Sequence, residues 1–176
     1  ARWIVLCDTN GGTLPHEIAS VVERVAGRIP PDQLGIHAHN DTENAVANTL
    51  AALRAGARQA QGTLNGLGER CGNADLIALI PTLVLKMGYE TGVSEAALRH
   101  LTGLSRAVDE RLNRIPDRHA AYVGACAFTH KAGLHASAVA KDPSSYEHVP
   151  PELVGNRRHV AVSDQAGRAN LLTRLG

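Results

Sequence analysis

The chain has 176 residues, of which 44% are hydrophobic and 20% charged, and its formal net charge is +1. This is a globular composition, without basic blocks, low-complexity tracts or a run of about 20 apolar residues, so we expect neither nucleic acid nor a membrane as a partner. The three cysteines are far apart and odd in number, which argues against a disulfide framework and favours the reducing cytoplasm.

Strand-like and helix-like segments alternate in the first half of the chain. The strand segments are short apolar runs, and the helix segments have apolar residues at helical spacing. The strands are predicted at residues 3–7, 34–39 and 58–64, and the helices at residues 15–29, 42–55 and 73–87. Consecutive βα units predict an α/β fold with a parallel sheet, whose functional loops follow the carboxyl ends of the strands.

The second half lacks this alternation. An apolar stripe predicts one more helix at residues 94–112, which we interpret as packing. Residues 113–176 begin with a linker and continue through segments rich in Gly, Ala, His and Pro, which favours a small, mainly helical subdomain. The predicted domains are therefore 1–112 and 113–176. The chain opens without Met or a signal-peptide pattern, so we expect it to be a piece of a longer protein.

Two histidines stand at the end of the second predicted strand. His37 and His39 are two residues apart, so their side chains share one face of a strand. Neutral imidazole is a common ligand of divalent metals, and such a pair supplies two corners of a site that is open to substrate. The alternative is two histidines bonded to backbone. A metal site needs a further protein ligand.

Five motifs resemble a known family, the acyl-CoA-dependent 2-oxo acid condensing enzymes, which include 2-isopropylmalate, homocitrate and citramalate synthases. Residues 62–73, reading GTLNGLGERCGN, are the most specific motif. The others are LCDTNGGTLP, HAHND, FTHKAGLH and YEHVPPELVGN, at residues 6–15, 37–41, 128–135 and 146–156. The residues of these motifs are most similar to those of the citramalate synthase branch.

The resemblance implies a TIM (β/α)8 barrel, of which the three βα units are the C-terminal part, followed by the subdomain. Five strands would then lie outside this chain, together with a carboxylate that is the third metal ligand. The family's C-terminal regulatory domain would also be absent. We therefore expect the 176 residues by themselves to be inactive and prone to aggregation, since the open sheet has unpaired edges.

The implied activity is a metal-dependent Claisen condensation of acetyl-CoA with pyruvate, giving citramalate and CoA for isoleucine synthesis. The same reaction with 2-oxoisovalerate or 2-oxoglutarate is the first alternative. A metal-dependent aldolase or lyase and a barrel remnant without catalysis are further alternatives. The resemblance also implies a homodimer, because the family's subdomain reaches over the barrel of a second subunit.

The resemblance assigns roles to particular residues. His37 and His39 would ligate a divalent ion, for which Mg, Mn and Zn all stay open. Asn73 would be a ligand or a substrate-binding residue beside the metal, and the alternative is an N-cap of the third helix. Thr9 would bind the substrate carboxylate or merely bond to loop backbone.

In the subdomain, the resemblance makes His135 and Tyr146 catalytic, with His135 suited to take a proton from the acetyl methyl group. The alternative is that both residues stabilise the subdomain. His130 lies in the same motif and is expected to be a bystander. In the Gly-rich loop, we expect Glu69 and Arg70 to form an internal ion pair and Cys71 to be a small buried residue.

Overall fold

The computed structural model describes residues 1–160, except for the side chains at positions 133 and 136. Residues 161–176, the end of the predicted second domain, lie outside the described residues. The chain divides into two compact units, Ala1–Tyr89 and Glu90–Gly176.

The first unit confirms the predicted alternation of strand and helix. Each strand is followed by a loop and a helix, and the three strands form one parallel sheet in the order β1-β2-β3. The elements are β1 (Ile4–Asp8), α1 (Pro15–Ala26), β2 (Leu34–Ala38), α2 (Ala45–Arg54), β3 (Gln59–Gln61) and α3 (Leu76–Met87).

The central strand β2 positions the loops of this unit. It pairs in parallel with β1 on one side and β3 on the other, so that His37 lies opposite Cys7 and Gln61. Leu34 is fully buried and Ile36 is 1% exposed. Because parallel strands run in one direction, the loops after all three strands emerge at the same edge of the sheet.

The core of the first unit lies between this sheet and its helices. It consists of the apolar residues that recur at helical spacing on one face of each helix, together with the matching face of β2. Its buried members are Ile18, Val22, Leu34, Ile36, Ala52, Leu53, Ala57, Leu79 and Leu83. Full burial of each large aliphatic side chain stabilises the unit by about 1.5–3 kcal/mol.

Local hydrogen bonds set where the helices begin. Pro15 occupies the first turn of α1 as predicted, but Leu14 is the N-cap, and its backbone N–H donates to the Glu17 carboxylate at 2.9 Å. Thr13, just before the N-cap, donates its hydroxyl to Oδ1 of Asp8 at 2.8 Å. This bond directs the Thr13 side chain to the buried carboxylate of Asp8.

The second unit is built from short elements. A 3-10 helix (Glu95–His100) leads into the longest helix described in this unit, and a two-stranded parallel sheet pairs the second and fourth of its main elements. These elements are α4 (Leu101–Arg111), β4 (Thr129–His130), α5 (Gly133–Lys141) and β5 (His159–Val160), with 3-10 turns at Pro143–Ser145 and Pro151–Val154.

Helix α4 lies in this second compact unit, which begins at Glu90. The buried hydroxyl of Thr102 donates to the carbonyl of Val154 at 2.7 Å. Leu98 and Val154 are both fully buried. The apolar stripe of a helix shows that one face is covered, but it does not show which segment covers it.

No helix within residues 1–160 is both long enough and apolar enough to cross a lipid bilayer.

Shortening a buried side chain in β2 tests the role of this strand. We expect Ile36→Ala to destabilise the first unit by about 2–5 kcal/mol, because it leaves a cavity between the sheet and α2. Ile4→Ala in β1 is the matched control, since Ile4 is 41% exposed and should cost far less. Thermal unfolding of the natural polypeptide that carries these residues measures both changes. Equal losses would show that β2 is not the core of the unit.

Candidate functional site

His37 and His39 lie side by side where β2 ends. Both side chains are half-buried, and their Nε2 atoms are 3.4 Å apart. The ring centroids are 5.1 Å apart with an interplanar angle of 75°. This arrangement follows from the period of the strand, which points the side chains of residues i and i+2 to one side.

The separation of the two nitrogens fits shared coordination better than a mutual hydrogen bond. A separation of 3.4 Å is longer than the usual hydrogen bond of about 2.7–3.2 Å. Two nitrogens bound tetrahedrally to one zinc ion at about 2.0–2.1 Å would be about 3.3 Å apart. The Nδ1 atoms of His37 and His39 are buried and have no hydrogen-bond partner among the described residues. The orienting bond that ligating histidines usually donate is therefore not found within residues 1–160.

Asn73 faces His39 across the neighbouring loop. The two residues form an isolated antiparallel bridge, and the Asn73 side chain donates from Nδ2 to the carbonyl of Leu67 at 2.9 Å. Its Oδ1 atom is buried without a described partner. The N-cap alternative for Asn73 is wrong, because Asp75 caps α3 by accepting a bond from the Ile77 N–H at 2.9 Å. The free amide oxygen is therefore available for a ligand.

Two glycines allow the loop before α3 to fold this tightly. Gly72 has a φ of +88°, and a Cβ there would collide with the carbonyl of Gly66. A Cβ at Gly68 would collide with Nδ2 of Asn73. These contacts explain why glycine occupies both positions in a loop that folds closely around Asn73.

Thr9 lies directly after β1 and is exposed. Its neighbour Asp8 accepts the backbone N–H of His39 at 3.3 Å, so Thr9 and the histidines share the carboxyl edge of the sheet. The carbonyl of Thr9 accepts a bond from Nη2 of Arg70 at 2.8 Å. Loops after all three strands thus meet here, as the sequence predicts.

Arg70 pairs with Asp41, which differs from the predicted pairing with Glu69. Nε and Nη2 of Arg70 donate to the two carboxylate oxygens of Asp41 at 2.7 and 2.8 Å. The Arg70 guanidinium lowers the pKa of Asp41, and this carboxylate raises the pKa of Arg70. Adjacent residues in a tight loop point apart, whereas the fork of an arginine reaches a carboxylate in the next loop.

A further expectation for this edge, that Cys71 is buried, is corrected. Cys71 is exposed, not buried, as is Cys7, and both thiols are free. The backbone of this loop turns the Cys71 side chain outward while Asn73 points inward. Within residues 1–160 no three His, Cys, Asp or Glu side chains are grouped as a metal site, so a third ligand of these types is not found in the described part of the chain.

In the second unit, the structure brings His135 and Tyr146 together. His135 lies in α5 and Tyr146 follows the 3-10 turn Pro143–Ser145. Their ring centroids are 4.3 Å apart with an interplanar angle of 34°. Tyr146 is 46% exposed. The two rings therefore form a packed, accessible pair.

Glu147 forms a buried charge cluster that sequence reasoning missed. Its side chain is 1% exposed, accepts bonds from Nε and Nη2 of Arg158 at 2.7 and 2.6 Å, and lies 3.0 Å from Nε2 of His130. Arg158 is the main cause of the lowered pKa of Glu147, and His130 adds to it. His130 is therefore a structural partner and not a bystander. Nothing in the sequence signals this cluster, because its members are far apart along the chain.

Two family models match the chain. A model described as HMGL-like matches residues 1–106, which is more than half of the chain, and a model described as homocitrate synthase post-HMGL domain-like matches residues 122–176. The chain belongs to the HMGL-like family.

Curated relatives of this HMGL-like chain confirm the resemblance to the condensing enzymes. (R)-Citramalate synthase from Aquifex aeolicus is 54% identical over 175 residues, which are 99% of this chain and 33% of the relative. The enzyme of the same name from Geobacter sulfurreducens is 53% identical over 174 residues, again 99% of this chain and 33% of the relative. The chain therefore spans about a third of the length of the curated relatives it matches.

Solved structures confirm the fold class, part of a TIM barrel with a helical part after it. An HMG-CoA lyase from Acinetobacter baumannii, in complex with coenzyme A and 3-methylmalate, is 31% identical with a TM-score of 0.57, covering 68% of this chain and 40% of that one. An HMG-CoA lyase from Brucella melitensis is 28% identical with a TM-score of 0.52, covering 62% and 41%.

The Glu147 cluster makes the second unit sensitive to acid. The pKa of Glu147 is lowered in the folded state, so its stabilising contribution is complete above the unfolded pKa of about 4.5 and is lost as the pH falls through the lower folded value. We expect the amide protection factors of residues 128–160 to fall as the pH is lowered from about 6 to about 3.

Replacing the carboxylate should remove most of this pH dependence. At neutral pH, Glu147→Gln should destabilise the unit by about 1–3 kcal/mol, because Arg158 loses a charged acceptor. Glu110→Gln is the matched control, since Glu110 is exposed on α4. Unchanged protection factors in Glu147→Gln would contradict a structural role for the cluster.

Proposed function

We propose that this chain forms part of a citramalate synthase, which condenses acetyl-CoA with pyruvate to give (R)-citramalate and CoA. The observation that carries the proposal is the convergence of His37 and His39 Nε2, 3.4 Å apart, beside the unpartnered Oδ1 of Asn73. This arrangement occurs in a chain that is about half identical to several citramalate synthases. We place the reaction in isoleucine biosynthesis and in the cytoplasm.

The residues at the carboxyl edge of the sheet fit a divalent cation. His37 and His39 would hold it through Nε2, with Asn73 as a ligand or a neighbour that binds substrate. A set of nitrogen and oxygen donors accepts Mg, Mn or Zn. When bound, such a cation supplies a Lewis acid for the carbonyl oxygen of the 2-oxo acid. Thr9, at the same edge, would bind the carboxylate of that substrate.

The proton chemistry belongs to the second unit. His135 would accept a proton from the acetyl methyl group, because imidazole is the side chain that most often performs this step. The methyl carbon then forms a bond with the 2-carbonyl carbon of pyruvate, whose oxygen gains the proton. Water cleaves the thioester and releases CoA. Tyr146, packed on His135 with ring centroids 4.3 Å apart, would orient the imidazole.

Other 2-oxo acids and a lyase are the competing functions. His37, His39, Asn73 and Thr9 do not by themselves specify the side chain of the 2-oxo acid, so 2-oxoisovalerate and 2-oxoglutarate need direct comparison with pyruvate. The HMG-CoA lyases of known structure support the lyase alternative. Their identity of 28–31% is much lower than the 53–54% to citramalate synthases, which favours condensation.

The first test uses the natural polypeptide that carries these residues. We expect it to release free CoA from acetyl-CoA faster with pyruvate than with 2-oxoisovalerate or 2-oxoglutarate. His37→Ala and His39→Ala should each lower metal content and reduce CoA release by about 100-fold or more, since a lost ligand weakens the bound cation. His16→Ala, on the exposed side of α1, is the control. Wild-type metal content and rate in both variants would disprove the assignment.

We also propose a homodimer in which each active site takes His135 from the other subunit. A His135→Ala chain and a His37→Ala, His39→Ala chain should each be inactive as a homodimer. In a mixed dimer one site keeps both the metal ligands and the imidazole, so part of the activity should return. Assays of CoA release after subunit exchange measure this recovery. Its absence, with exchange proven by mass spectrometry, would contradict a shared site.

A further inference from the structure

Arg70 connects the loops that follow all three strands of the first unit. Its guanidinium donates two bonds to the carboxylate of Asp41, at 2.7 and 2.8 Å, and one to the carbonyl of Thr9 at 2.8 Å. Thr9 follows β1, Asp41 follows β2, and Arg70 follows β3. One side chain therefore fixes the relative positions of three loops.

The surrounding backbone is shaped for this contact. Arg70 itself has a φ of +56°, a conformation that side chains other than glycine rarely adopt. Gly11, with a φ of +66°, leaves room for Asp41, since a Cβ there would collide with its carboxylate. The hydroxyl of Thr42 donates to the carbonyl of Gly11 at 2.8 Å, which ties the first two loops together again.

A second set of bonds carries the effect to the candidate metal ligands. Asn40, between His39 and Asp41, donates its backbone N–H to the carbonyl of Gly72 at 2.9 Å, and Gly72 precedes Asn73. Rotation of Asp41 away from Arg70 would therefore shift the backbone of Asn40, which is bonded to His39. Through the bond to Gly72, it would also shift the loop that carries Asn73.

We propose that Arg70 is a positioning residue that sets Thr9, His39 and Asn73 in register for the 2-oxo acid. This inference rests on the proposed function. No described contact joins Arg70 to His37 or His39. Arg70 acts through its bonds to Thr9 and Asp41.

The exposure of the Arg70–Asp41 ion pair favours a role in positioning the loops over a role in stabilising the fold. The side chain of Arg70 is 42% exposed and that of Asp41 23% exposed. Ion pairs that water reaches contribute little to folding. Lysine has a single ammonium group, whereas arginine has a planar guanidinium with several N–H donors. Only arginine can therefore donate two bonds to Asp41 and a third to Thr9 in this geometry. The geometry of the loops, and not the stability of the unit, should therefore depend on Arg70.

The experiment compares Arg70→Gln, Arg70→Lys and Asp41→Asn in the natural polypeptide, with Arg54→Gln as control. Arg54 is exposed at the end of α2, away from the carboxyl edge of the sheet. We expect Arg70→Gln to raise the KM for pyruvate about tenfold, the effect of weakening one hydrogen bond between Thr9 and the substrate carboxylate, with the KM for acetyl-CoA nearly unchanged. Arg70→Lys should recover part of the loss, and the melting temperature should stay near that of the unsubstituted protein.

A double variant tests whether the pair acts as a unit. Arg70→Gln with Asp41→Asn should be no worse than Arg70→Gln alone, because the same contact is already lost. An unchanged KM for pyruvate in Arg70→Gln would overturn the proposal. A parallel fall of kcat and melting temperature, with KM unchanged, would assign Arg70 a structural role and also overturn it.

The proposed function and this inference fail in different ways. If the unsubstituted polypeptide releases no CoA with any of the 2-oxo acids, the proposed function is wrong. Amide hydrogen exchange of residues 9–13 and 40–43 then still decides the role of Arg70. We expect Arg70→Gln to speed this exchange about tenfold relative to Arg54→Gln, because the loops lose their common contact. Equal exchange in the two variants would overturn the proposal.

Discussion

The parallel pairing of β2 with both of its neighbours is the constraint on which the candidate site depends. Buried apolar residues of β2 anchor the strand against the helices, and Ile36 is 1% exposed. A shift of one residue in this register would turn Ile36 to the open face and His37 into the core. The hydrophobic core therefore fixes the direction of the two imidazoles, although neither histidine contributes much to that core.

Two ion pairs of similar geometry serve different purposes because their burial differs. Glu147 is 1% exposed, so its carboxylate needs Arg158 and His130 to compensate for lost hydration. Arg70 is 42% exposed, and water compensates for most of the charge when its contact with Asp41 is broken. Because it is buried, the Glu147–Arg158 pair is part of the fold of the second unit. The exposed Arg70–Asp41 pair instead orients loops.

The sequence predicted the elements better than their ends. All three strands and the helices between them follow from apolar spacing, which is a property of adjacent residues. The starts of the helices were less accurate, since Asp75 rather than Asn73 caps α3. Both side chains are good N-caps, and the choice depends on Asn73 being held by the carbonyl of Leu67. The contact of α4 with Val154 could not be predicted for a similar reason, because the two segments are distant along the chain.

By itself, the sequence determined the βα alternation, the placement of His37 and His39 on one face, and the resemblance to the condensing enzymes. These depend on local periodicity and on motifs within short segments. Only the tertiary structure decided that Arg70 binds Asp41 and Thr9, and that Glu147 is buried between Arg158 and His130. Those contacts join loops far apart in the chain, and which charged groups meet is set by how the strands and helices pack.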